Sequence, residues 1–156
     1  MTQQEYQLMV DNFLATCDLV RLEAYKQTGY EWMVVPKTGA YRSIKEQHGL
    51  YIQAHDGIDN DHDGLVDESD ELVTCADGGQ SPHNFNLARD IVPMVHKDVI
   101  WWEAPTKIWK IAADISVDHG LCSGFYFKNL FDAPHSEHKK WKEVQVAWRN
   151  REIIVG

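Results

Sequence analysis

The chain lacks any run of about 18 apolar residues, so no segment of it can cross a bilayer as a helix. It is also poor in cysteine: Cys17, Cys75 and Cys122 are odd in number and widely spaced. That excludes a disulfide framework and a thiolate zinc site, and the three read as reduced thiols. The opening residues, MTQQEYQ, bring no basic region followed by an apolar stretch, so no secretory leader is visible and synthesis in the cytoplasm is expected. Internal repeats and flexible linkers are missing too. What is present, 44% hydrophobic residues and six tryptophans in 156 residues, suffices for one domain spanning 1–156 with its own core, expected to be a monomer.

Positive charge is the other shortage. Fifteen Lys and Arg face 24 Asp and Glu, a formal net charge of −9. Eight of the acids (Asp56, Asp59, Asp61, Asp63, Asp67, Glu68, Asp70, Glu71) fall within 56–71, where there is no Lys or Arg, and the rest of the chain holds 16 acids against 15 bases. A nucleic-acid binder needs a basic face to neutralise phosphates, and a nearly neutral body offers none. The acidic segment therefore asks for its own explanation.

Apolar residues Val10, Phe13, Leu14, Cys17, Val20 and Ala24 recur at helical spacing, predicting a helix over 5–27 that stops near Gly29. YEWMVVP, 30–36, reads as a strand closed by Pro36, with a turn at 37–39. A shorter helix is expected over 43–54. Leu87 to Val95 and Val99 to Trp102, separated by HKD, read as an antiparallel hairpin. Pro105 opens a helix with Ile108, Ile111, Ala112 and Ile115 on one face. FYF at 125–127, His135 to Trp141 and Val144 to Val155 are expected as further short strands, and Trp101, Trp102 and Trp109 as core. Helices and strands mix without βαβ alternation, so the fold class is α+β with a small, mainly antiparallel sheet packed with helices.

SPHNFNLARD, 81–90, holds His83 and Asp90 seven residues apart, a separation that fits neither the strand nor the helix period. Fully extended, those residues would span about 23 Å, yet two ligands of one metal must each bring an atom to roughly 2 Å from it. For the two to share a site the segment must double back, and Asn84 and Asn86 tolerate turns. FDAPHSEH, 131–138, offers a third ligand: Asp132 and His135 are a turn apart, so that one can bind while the other stands beside it. A His/Asp/His set leaves a fourth zinc position for water, whose pKa then falls to about 7. A neighbouring carboxylate can take that water's proton and pass it to a leaving amine.

These residues carry a resemblance. SPHNFNLARD resembles the S-x-H-x-x-G-x-A-x-D signature of zinc peptidases related to the VanX and VanY D-Ala-D-Ala peptidases. FDAPHSE resembles the D-x-P-H-F-E ending of the phage L-alanyl-D-glutamate endopeptidases in that group, and GAYRSIKEQHGLYIQ, 39–53, looks like its G-Y-R-S-x-x-x-Q-x-x-L-Y segment. The resemblance runs from about Gly39 to Trp141 and implies a hedgehog/DD-peptidase-like fold with the zinc site on the sheet. It implies His83, Asp90 and His135 as zinc ligands and Asp132 as acid/base; an Asp132→Asn enzyme that stayed active would pass that role elsewhere, with Glu137 as the candidate. It further implies Arg42 as the cation facing the oxyanion and Ser81 as a substrate-side hydrogen-bonding group. Two positions depart from the pattern: Asn86 stands where the family has glycine, and Ser136 where it has phenylalanine. The implied activity is zinc-dependent hydrolysis of the L-Ala-D-Glu bond of the peptidoglycan stem peptide, as in phage endolysins that act on the wall after release. A D-Ala-D-Ala carboxypeptidase and a non-catalytic, metal-stabilised binding module are the alternatives.

DGIDNDHDGLVDESDE, 56–71, fits the pattern D-x-[DN]-x-[DN]-G of a calcium loop. Asp59, Asp61, Asp63, the Leu65 carbonyl, Asp67 and Asp70 fall at the ligand positions of an EF-hand-like loop, so calcium is expected there.

Overall fold

The computed structural model describes residues 1–155. Thr2 caps helix α1 (Gln3–Thr28) in a reciprocal box with Glu5, and Gly29 ends it in the left-handed conformation. The buried residues of α1, from Tyr6 and Val10 through Phe13, Cys17 and Val20 to Ala24, fall at alternating four- and three-residue steps and so form one face. That face joins the core with Ile108, Ala112 and Ile115 of α3 (Thr106–Asp118). Full burial of a residue such as Phe13 or Val20 contributes about 1.5–3 kcal/mol each. Among the described residues no helix is long and apolar enough to cross a membrane.

Five strands make one small antiparallel sheet: β1 (Trp32–Val34), β2 (Ala88–His96), β3 (Val99–Ile100), β4 (Cys122–Ser123) and β5 (His135–Glu137). Their order is β1-β2-β5-β4, with β3 paired to β2 through the expected hairpin. Helix α2 (Ile44–Tyr51), capped by Ser43 and Glu46, continues into a short 3-10 turn at Gln53–His55. The α+β expectation holds, with helices packed against a small antiparallel sheet.

Four expectations are corrected. Residues 144–155 are not a strand: α4 (Trp141–Arg149) occupies the first half of them. Trp141, Val144, Ala147 and Trp148 lie at helical spacing, and the helix stacks Trp141 on Phe85 and sets Trp148 edge-on to the same ring. FYF forms a 3-10 turn (Gly124–Tyr126), started by the Ser123 hydroxyl, and β5 ends at Glu137. Of the three tryptophans placed in the core, Trp109 is buried, Trp101 partly so, and Trp102 is 53% exposed because it follows the hairpin rather than entering α3.

Candidate metal centre

Ser81 begins the local order. Its hydroxyl accepts the His83 N–H and starts the 3-10 turn Pro82–Phe85, after which Asn86 takes a left-handed φ of 56° and sends the chain into β2. The expected doubling back is therefore made by one tight turn and one asparagine. Asn84, almost fully buried, binds both sides of the bend. Its carbonyl oxygen accepts the Gly79 and Ser81 N–H groups, while its amide donates to the Arg42 and Ser43 carbonyls.

Strand pairing brings in the other two donors. In the β2–β5 ladder Asp90 lies directly opposite His135. The result is a group in which one donor atom each from His83, Asp90 and His135 lies within 4.8 Å of the others. His83 Nε2 is 3.4 Å and His135 Nδ1 is 3.1 Å from the same oxygen, Asp90 Oδ1. Donors about 2.1 Å from one tetrahedral ion stand about 3.4 Å apart, so two imidazoles and a carboxylate at these separations fit zinc. The far nitrogens agree. His83 Nδ1–H donates to the Ala40 carbonyl at 2.7 Å, which leaves Nε2 with its lone pair toward Asp90. His135 Nε2–H donates to Glu137 at 3.1 Å, which leaves Nδ1 for the metal, and Trp141 holds the other oxygen of Glu137.

Burial holds the His83 imidazole below its usual pKa, favouring the neutral ligand form. Burial also opposes charge on His135, but hydrogen bonds to Asp90 and Glu137 outweigh it and raise its pKa. Asp90 sits well below the carboxylate range: burial would raise it, and the His135 and His83 imidazoles beside its carboxylate reverse the sign. Asp132 is raised, chiefly by burial, with the Asp90 charge adding to it.

Asp132, Arg42 and Ser81 line the same cavity of about 370 Å³ as the three donors. Arg42 reaches Asp90 Oδ2 at 3.2 Å, the Gln47 side chain at 3.1 Å and the Thr38 carbonyl at 2.6 Å, so it fixes Asp90 from behind and leaves Oδ1 to the imidazoles. Glu137 lies behind His135, where it orients the ring. A larger cavity, about 490 Å³, lies between α1 and residues 138–140 and contains none of the triad.

Four residues support the site through contacts that were not read from the sequence. Glu137 carried a signal, because residues i and i+2 of a strand share a face and it lies two after His135. Gln47, fully buried, ties Arg42 to Thr74 and the Ala76 carbonyl. Asn84 is the third. Gly124 is the fourth: a Cβ there would lie 2.3 Å from the Asp132 carbonyl oxygen and 3.0 Å from His135 Cβ. Neither Gln47 nor Gly124 shows this in local sequence.

In the acidic segment, Asp59 and Asp61 come together with Glu71 rather than with Asp70. Asp67 turns back, in a left-handed conformation, to accept the Gly57 N–H at 2.8 Å. Leu65 is exposed, and Asp63 accepts the Leu65 N–H.

A small antiparallel sheet flanked by helices, with a His/Asp/His metal triad at the β2–β5 ladder, is the hedgehog/DD-peptidase-like arrangement. The chain matches no family model. Its fold is similar to that of a vancomycin resistance D,D-pentapeptidase, VanY from a VanB-type cassette, in complex with Zn(II) (TM-score 0.55, 14% identity, covering 88% of this chain and 76% of that one). It is also similar to the LdcB LD-carboxypeptidase, described in terms of peptidoglycan recognition (TM-score 0.52, 18% identity, 95% of this chain and 76% of that one). At these identities the likeness is one of fold.

Proposed function

We propose that the chain is a zinc-dependent peptidase of peptidoglycan stem peptides that removes a C-terminal D-residue; its fold neighbours are a D,D-pentapeptidase and an LD-carboxypeptidase. The observation that carries this reading is the convergence of His83, Asp90 and His135 on one wall of a cavity that Asp132 also lines. When bound, the metal supplies Lewis acidity and a water acidified toward neutrality. Asp132, whose burial raises its pKa, holds and passes the proton that must move from that water to the leaving amine. Arg42 keeps Asp90 in place and adds positive charge where the peptide carbonyl becomes anionic. The protein would meet the wall after release from the cell that makes it.

A second reading, cleavage between L-Ala and D-Glu as in phage endolysins, draws on a specific observation. Among the described residues lining the cavity, Arg42 is the one Lys or Arg, and it is already bound to Asp90. A free C-terminal carboxylate asks for a cation of its own. Mass spectrometry of muropeptides with four- and five-residue stems, after incubation with zinc-loaded protein, separates the two. Loss of a terminal D-residue supports the first, and a cut after the first residue supports the second. Intact stems of both lengths would sink both.

A further inference from the structure

We infer that segment 56–71 binds one calcium ion through Asp59, Asp61, Asp63, Glu68 and Glu71, and that this ion braces the wall of the metal-centre cavity. Asp59, Asp61 and Glu71 each place a carboxylate oxygen within 4.8 Å of the others. Like charges at that distance repel, and among the described residues no Lys, Arg or His forms an ion pair with any of the five.

The independent observation is a set of orphaned oxygens. Glu71 is 3% exposed; its Oε1 accepts the Asn60 N–H, but its Oε2 is sealed from solvent and has no donor. Both carboxylate oxygens of Glu68 are likewise sealed and without a donor. Desolvation, followed by the negative charges of Asp63, Glu71 and Asp70, raises the Glu68 pKa. A buried acceptor without a donor, as Glu71 Oε2 is, costs about 1–3 kcal/mol, and more when charged, unless something positive meets it. An all-oxygen, carboxylate-rich set on a loop is the chemistry of calcium, which takes six to eight oxygens in flexible geometry. Zinc prefers the nitrogen-bearing triad.

The loop is coupled to the cavity by covalent chain and hydrogen bonds. Two residues beyond Glu71, residues 73–76 form part of the cavity wall. Thr74 and Ala76 accept from Gln47, Gln47 accepts from Arg42, and Arg42 donates to Asp90. Fixing Glu71 therefore fixes one end of the chain of contacts that orients a metal ligand.

The binding half stands apart from the peptidase reading; only the catalytic role of the braced cavity rests on it. The test is calorimetric titration of CaCl₂ into the zinc-loaded, full-length protein, with proteolysis of 56–72 and zinc content followed in parallel. Saturable binding of one ion and protection of the loop are expected. Glu71→Gln should weaken binding by at least about tenfold, and Asp61→Asn with Glu71→Gln should abolish it, with zinc content unchanged. No saturable heat up to about 10 mM calcium, or unchanged binding in the double variant, would overturn the inference. Calcium binding in a protein that cleaves no stem peptide would retain the ion site and reject the peptidase reading instead.

Discussion

In the His83–Asp90–His135 centre the donors stand on a capped turn and two paired strands, nearly sealed from solvent, and each imidazole has its far nitrogen engaged by a carbonyl or carboxylate. In 56–71 the carboxylates hang from a segment whose only regular element is a three-residue 3-10 turn at Ser69–Glu71, and several accept N–H groups of their own loop. Both regions gather negative charge. The difference lies in what holds the donors before a cation arrives. In the first, hydrogen bonds from elsewhere in the fold fix tautomer and direction; in the second, like charges are left facing one another. The first region is therefore preorganised, while the second would draw its order from the proposed ion.

Removing a donor from the preorganised site should have the largest effect. His83→Ala and His135→Ala are each expected to lose all bound zinc, read by elemental analysis of the purified protein, while the calcium response of 56–71 survives. Zinc retained at full occupancy in either variant would break the assignment of the triad. Next in size, Asp132→Asn should keep zinc and the fold yet reduce stem-peptide turnover about a hundredfold or more. An active Asp132→Asn enzyme would place proton transfer elsewhere.

The supports behind the ligands should matter less. Glu137→Gln leaves a weaker acceptor for His135 Nε2–H, and zinc affinity, measured by competition with a chelator, should fall about ten- to a hundredfold. Gly124→Ala forces a methyl group against the Asp132 carbonyl, and thermal unfolding should show a loss of about 1–3 kcal/mol. An unchanged unfolding temperature would mean that the 124–132 contact yields more easily than its geometry indicates. The smallest effect is expected in the other region. Asp70→Asn alters an exposed side chain outside the Asp59–Asp61–Glu71 group, so calcium affinity should stay within about twofold. A large loss there would favour the EF-hand spacing over the observed grouping.

The helices were legible from periodicity and caps. The run from Val10 to Ala24 gave α1, Gly29 its end, and Pro105 the start of α3. The bend between His83 and Asp90 followed from their spacing, and Asn86 takes the left-handed φ that its place in the pattern required. Less legible was 144–155, expected as a strand although Trp141, Val144, Ala147 and Trp148 stand at helical spacing. In the loop, counting positions selected Asp70, whereas the chain folds so that Glu71 is the buried partner of Asp59 and Asp61.

That Asp132 rather than His135 stands aside came from the family resemblance, but two histidines and an aspartate as candidate donors and a block of acids without a base among them were already visible in the sequence. Those follow from residue type, local spacing and turn propensity, which act over a few residues. The tertiary structure alone decided that Asp90 faces His135 across β2 and β5, that Arg42 and Gln47 hold Asp90 from behind, and that Gly124 leaves room for Asp132. Each of these depends on strand register or close packing between segments far apart in the chain, and no local period encodes such distances.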